Sequence, residues 1–245
     1  MRMIPLLGAG VAAAAAVRLA RSRRQRSLHP LGCSLTGELQ VWGCPGPVGS
    51  ELIDRPARHR VTVRLSKGLG TRGGRADVRG VAVRVPGPGR PTDLLLSTVA
   101  AGRWGRRVPM PRRTFDTTYG SITAYRAGGA KLYLLAGPDP AGAPLGRTLE
   151  SVTDAAGRGG AGLLLHVVRG GRVQPFGRLS LDGVLSPRRD AALAFDPIRN
   201  ASADLHPTGR LHGARALAYR ASQRWRGVTP PPRNPAAVER TAANR

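Results

Sequence analysis

Lysine is nearly absent from this chain: of its 39 Lys and Arg residues, only Lys67 and Lys131 are lysine. Acidic residues are also few, 14 in 245, which leaves a formal net charge of +25 at pH 7. Such a charge ordinarily points to nucleic acid. Yet the aromatic side chains that would stack bases make up only 4% of the residues. The arginines are scattered along the chain rather than gathered on one arm, and the Gly- and Ala-rich composition around them is what a GC-rich coding sequence produces. No specific nucleic-acid partner is expected, and polyanion binding is expected only as a nonspecific property.

Cysteine is scarce too. Cys33 and Cys44 make no disulfide framework, and no CxxC or His-rich metal spacing accompanies them. They could pair across a hairpin or, in a reducing cytoplasm, stay inert. There is no internal repeat and no apolar run of the roughly 20 residues that span a bilayer. The longest run, residues 3–17, is Ala-rich and is followed by Arg18, Arg21, Arg23, Arg24 and Arg26. Three readings compete for it: an uncleaved signal-like anchor, a peripheral membrane anchor, and a helix packed on the domain. Charge after the run rather than before it fits a cleaved signal poorly, and would keep the following residues on the cytoplasmic side. The expected localisation is cytoplasmic, with peripheral membrane contact through residues 3–17.

What the chain does have is short alternating segments divided by Gly and Pro. In residues 60–66, Val61, Val63 and Leu65 fall on one strand face and Thr62, Arg64 and Ser66 on the other. Strands are predicted near 38–42, at 81–85, 93–97, 119–125, 131–135, 162–168 and 176–185, with a short helix at 150–156. Many short strands separated by turn signals predict an antiparallel barrel or sandwich. Helical signal otherwise lies at the two ends. The organisation expected is an apolar and basic N-terminal segment (1–27), a barrel domain (28–227) and a Pro-rich tail (228–245).

Near the C-terminus, Arg215, Tyr219, Ser222 and Arg226 share one face if residues 214–226 are helical. A tyrosine between permanently charged guanidiniums is prone to ionise, and a phenolate is a hard anionic ligand. The plain alternative is a basic surface helix with one amphipathic tyrosine.

Four blocks in order resemble the heme-dependent catalase family. The distal motif R-x-x-H-x-x-G, with a further glycine five residues on, appears as Arg26, His29, Gly32 and Gly37. The strand V-R-F-S appears as Val63-Arg64-Leu65-Ser66, and D-P-R-G-F-A-V-K-F as Asp77 to Val85 after a shorter loop. The proximal R-x-x-x-Y appears as Arg215 and Tyr219. The family's W-D-L-x-G block, which leads to a distal Asn, meets Asp93 to Leu96 followed by Ser97, and Leu28 stands where Val is usual.

The resemblance implies a mainly β (α+β) fold: an antiparallel barrel of the catalase type with peripheral helices, including a C-terminal proximal helix. It implies heme b with ferric iron as cofactor, Tyr219 as iron ligand and Arg215 beside it. It also implies Arg26, Arg64 and Arg226 on the propionates, Ser222 at the proximal side, His29 as acid/base, Ser66 orienting it, and Ser97 in the peroxide pocket. The implied partners are a small-molecule peroxide and a reductant. The implied activity is that of a peroxidase or weak catalase acting on hydrogen peroxide or organic hydroperoxides, with hydroperoxide isomerisation or dehydration as a sibling. A noncatalytic protein that binds heme, membrane or polyanions on a decayed catalase fold is the alternative.

Overall fold

The structure is a computed structural model, and it describes residues 29–208. The N-terminal apolar run, Arg26, Leu28, and the helix expected to carry Arg215, Tyr219, Ser222 and Arg226 lie outside those residues, as does the 228–245 tail.

Among the described residues, ten strands follow in chain order: β1 (Leu31–Val41), β2 (Ala57–Lys67), β3 (Arg79–Val85), β4 (Thr92–Thr98) and β5 (Tyr119–Gly120), then β6 (Tyr125–Ala127), β7 (Ala130–Pro138), β8 (Gly162–Arg169), β9 (Arg172–Val184) and β10 (His206–Pro207). All strand pairs are antiparallel. The order β7-β5-β4-β3-β2-β1-β9-β8, with β8 pairing back to β7, closes eight strands into a barrel, and β6 and β10 extend it beside β7. The choice between barrel and sandwich is settled by that last pairing. Closure removes the open sheet edges that would otherwise template aggregation.

The pleat sorts the side chains as the alternation predicts. Val61, Val63 and Leu65 of β2, Val81, Val83 and Val85 of β3, and Leu35 and Leu39 of β1 are all buried in the barrel interior. Each such aliphatic side chain contributes roughly 1.5–3 kcal/mol by leaving water. Helix α1 (Glu51–Asp54), α2 (Gly102–Gly105) and α4 (Pro187–Ala192) are short, and α3 (Leu149–Arg158) is the longest described. Thr148 and Ser151 form a reciprocal capping box at the start of α3, and Val152, Ala155 and Ala156 face the core.

Two expectations change. Strand β1 begins at Leu31, well before the 38–42 alternation, so Gly32 and Gly37 lie inside it. Gly37 admits no side chain because the carbonyl oxygen of Ser180 on β9 lies 2.3 Å from where its Cβ would stand. The close neighbour there is the adjacent strand β9. Residues 119–125 do not form one strand: Ser121–Ala124 turn, with Ile122 at φ 46°, and divide β5 from β6. A β-branched residue at positive φ gives no warning in the sequence.

Candidate functional site

The outward face of the barrel wall carries a row of very small residues. Cross-strand register aligns Gly32 of β1 with Ser66 of β2, Ser66 with Gly80 of β3, Gly80 with Ser97 of β4, and Ser97 with Gly120 of β5. Residues directly opposite in adjacent strands point to the same face. Five strands therefore present a floor with no side chain larger than serine in this row.

His29 lies against that floor. Its Nδ1 is 2.9 Å from Ser66 Oγ, and its backbone N–H donates to the Gly68 carbonyl at 3.3 Å. Ser66 Oγ is also 3.4 Å from the Gly80 carbonyl oxygen. A hydroxyl that donates there accepts from Nδ1–H, which makes Nε2 the basic nitrogen of the ring. The imidazole sits so close to β3 that a Cβ at Gly80 would stand 2.6 Å from His29 Cε1, 2.8 Å from Nδ1 and 2.9 Å from Ser66 Oγ. Gly80→Ala is accordingly expected to cost about 1–3 kcal/mol or to push the ring off Ser66. Urea unfolding of the variant, with its crystal structure, reads which.

His29 adopts φ 58°, a left-handed conformation, although Pro30 follows it. A residue before proline is normally held to extended conformations, and a non-glycine residue at positive φ costs about 1–3 kcal/mol. The surrounding loop holds it there. The Lys67 ammonium donates to the carbonyls of Thr71, at 2.9 Å, and Gly73. Asp77 accepts from the backbone N–H of Leu69 at 2.7 Å and of Thr71 at 2.8 Å. Burial, with the Arg79 charge adding, lowers the Lys67 pKa below its ordinary value. The Gly-rich loop is thus wrapped on two buried charges, and its first carbonyl, that of Gly68, receives the His29 amide.

Arg64, two residues before Ser66 and on the same face, is only 5% exposed. Its guanidinium pairs with the Asp190 carboxylate of α4, which also accepts from the Ser34 hydroxyl. The sequence reading missed Asp190, which is 126 residues from Arg64. Asp93, four residues before Ser97, was also missed as a structural centre. Its Oδ1 accepts from Arg84 Nε at 2.7 Å. Its Oδ2 accepts from Arg84 Nη2 at 2.7 Å, the Asp196 amide at 2.7 Å and Asn200 Nδ2 at 2.8 Å. The Asn200 side chain is therefore committed inside the fold.

Both cysteines are free. Cys33 lies near the start of β1 and Cys44 beyond its far end, so one extended strand holds them too far apart for a disulfide. Burial pushes the Cys33 thiol up from its ordinary 9.0 to about 11, with Arg64 opposing the shift. The sign follows: above pH 9.0 the unfolded thiol ionises while the folded one stays neutral, so stability falls as pH rises towards about 11. The loss is expected to approach about 2 kcal/mol across that window, since one pKa unit is worth about 1.4 kcal/mol. Denaturant titrations of the native chain and of Cys33→Ala should show the variant lacking that part of the slope.

Among the described residues, no group of three or more His, Cys, Asp or Glu is placed to hold a metal ion. The structure brings together His29, Ser66, Gly80 and the Ser97 strand position, with Arg64 one pleat repeat away. It does not place Arg26, Arg215, Tyr219, Ser222 or Arg226, which fall outside the described residues.

The closed eight-stranded antiparallel barrel is of the catalase type. Two solved structures share it. Catalase A from Saccharomyces cerevisiae superposes with a TM-score of 0.60 at 13% identity, over 83% of this chain and 61% of that one. A fungal catalase crystal structure superposes with a TM-score of 0.61 at 14% identity, over 86% of this chain and 61% of that one. This chain thus spans less than two thirds of the length of the catalases it matches. No protein-family model matches the chain, and no curated protein does.

Proposed function

We propose that the protein is a heme-dependent, peroxide-metabolising enzyme, a peroxidase or weak catalase acting on hydrogen peroxide or an organic hydroperoxide. The observation that carries this reading is the His29–Ser66 pair, 2.9 Å apart on a floor of glycine and serine. The small residues of the row make room for the imidazole itself, which lies directly over Gly80 in a strained, supported conformation, while the Arg64 guanidinium fills the space over Gly32 and the Val99 and Leu135 side chains fill that over Gly120. Tyr219 would be the iron ligand, with Arg215 holding it as phenolate, and Arg26, Arg64 and Arg226 would meet the propionates. Ser222 would lie on the proximal side. Ferric iron with an anionic oxygen ligand supplies the electron donation that peroxide cleavage needs.

The chain's own residues then handle the proton. His29 Nε2 would take the proton from one peroxide oxygen and return it to the other, so that the second oxygen could leave as water or an alcohol; the two electrons for the cleavage would come from the heme that these residues would hold. Ser66 keeps Nδ1 occupied and the ring in place. Ser97 would contact the peroxide with a hydroxyl in place of a carboxamide.

One observation favours a second reading, a catalase-like fold that keeps its packing without the chemistry. Arg64, assigned here to a propionate, already carries the Asp190 carboxylate. A heme carboxylate would have to share that guanidinium or replace Asp190 on it. Tyr219→Phe separates the readings: the proposal expects hemin affinity to fall at least about 100-fold in spectrophotometric titration, since the anionic ligand is lost. Unchanged, weak affinity in both proteins would favour the second reading.

A further inference from the structure

Immediately after β4 the chain leaves the barrel in a loop whose chemistry the heme reading does not use. Between Asp93 and Asp116 there is no acidic residue, and there are five arginines: Arg103, Arg106, Arg107, Arg112 and Arg113. At the loop's tip stands Trp104, 68% exposed, the most exposed of the large hydrophobic side chains among the described residues. Val108, 52% exposed, follows on the same loop, and Pro109 and Pro111 are exposed beside it. An isolated exposed apolar residue needs no explanation, but an indole and a valine on one arginine-rich loop do.

The loop is braced. The Ala100 amide donates to the Val108 carbonyl at 3.1 Å and the Met110 amide to the Thr98 carbonyl at 2.8 Å, closing its base. Arg106 stacks on the Tyr133 ring of β7 at 4.5 Å, and Arg107 lies 5.4 Å from both the Trp104 and Tyr133 rings. These cation–π contacts fix the arginines against the barrel wall. The indole is thereby presented to solvent from a rigid support, with guanidiniums around it and no carboxylate on the loop to neutralise them.

We propose that the loop from Ala100 to Arg113 docks the protein on an anionic lipid surface. Trp104 and Val108 enter the headgroup region, and the exposed Arg107 and Arg113 meet lipid phosphates. Indole and guanidinium together are the side chains that settle at a membrane–water boundary, one end apolar and the other charged. A nucleic acid would match the charge, but one exposed aromatic gives no platform for successive bases, and Val108 offers them nothing. No helix among the described residues is long and apolar enough to cross a membrane. The inference stands whether or not the protein binds heme.

The test uses the full chain with Trp42→Phe and Trp225→Phe, which leaves Trp104 as the sole indole. With vesicles of equimolar phosphatidylcholine and phosphatidylglycerol, Trp104 emission should shift to the blue and be quenched by brominated acyl chains. With phosphatidylcholine alone it should do neither. Arg107→Glu in the same background should weaken vesicle binding by more than about tenfold, because each basic residue near an anionic surface is worth about fivefold in affinity. Trp104→Ala in the otherwise unaltered chain should reduce co-sedimentation with the same vesicles. Vesicle binding with unshifted, unquenched Trp104 would overturn the proposal by placing the contact elsewhere. So would a Trp104 response to polyuridylate at concentrations where the vesicles give none.

Discussion

Replacing His29 by alanine is expected to lower peroxide turnover by about 10²–10⁴-fold while leaving hemin affinity within a factor of a few. The asymmetry follows from where the side chain sits. His29 precedes β1, touches Ser66 and stands above the Gly80 backbone, and it contributes nothing to the barrel core. Its removal takes away the Nε2 proposed to handle the proton, while alanine, which also carries a Cβ, keeps the left-handed strain before proline, so folding stability should change little. Ser66→Ala should give a smaller loss in the same direction, since the ring keeps its Nε2 but loses the partner that orients it. Peroxide consumption by the heme-loaded proteins, read beside their thermal midpoints, checks both halves. Equal turnover in native protein and His29→Ala would remove His29 from the chemistry.

Asp93→Ala is expected to destabilise the fold by about 3–5 kcal/mol, the usual result of removing one partner from a buried ion pair. Asp93 is 1% exposed and accepts four hydrogen bonds, from Arg84 twice, the Asp196 amide and the Asn200 side chain. Its loss leaves the Arg84 guanidinium donating to the Ala194 carbonyl, at 2.6 Å, and takes the acceptor from the Asp196 amide and the Asn200 side chain. The 194–200 segment is then held to β4 by the amide of residue 93 donating to the Asn200 carbonyl at 2.7 Å. Asp93→Asn should cost less, because a carboxamide still accepts through one oxygen. Urea unfolding with an unchanged m-value would show that the native state itself has lost the energy. Because Asp93 lies on the strand that carries Ser97, any hemin-binding defect in these variants should track their stability.

The barrel was legible where one face of a strand is plainly apolar. Val61, Val63 and Leu65 marked β2 and Val81, Val83 and Val85 marked β3, whereas β4 and β8 were read from short apolar runs bounded by turn residues. The α3 helix announced itself through its residue types, and its capping box at Thr148 and Ser151 fixes where it begins. Strand β1 was read late because Gly32, Ser34 and Thr36 put small and polar groups on its outer face while Gly37 interrupts its apolar inner face, which blurs the period of two. Gly32, one of the residues that weaken the strand signal, belongs to the small-residue row against which His29 lies.

The His29–Ser66 pairing was readable only through the order of the family blocks, since 37 residues separate the partners. The Arg64–Asp190 pair was not readable at all. Asp190 sits in a short segment whose Pro187 and first-turn acid indicate a helix start but say nothing about what the acid faces. Tertiary placement alone brings that carboxylate to β2. The Trp104 loop was likewise hidden in an arginine-rich composition that looks uniform along the sequence and becomes distinctive only when one indole is seen to be exposed.

The proposed function requires a ferric heme held by Tyr219 as tyrosinate, with His29 as the acid/base residue. The measurement that tests it most directly is the visible absorption spectrum of the purified full chain after titration with hemin, with Tyr219→Phe alongside. The account predicts saturable one-to-one binding and a high-spin ferric spectrum with phenolate charge-transfer bands, both lost in the variant. A chain that stays colourless, or that binds hemin with the same spectrum and affinity whether residue 219 is tyrosine or phenylalanine, would contradict it.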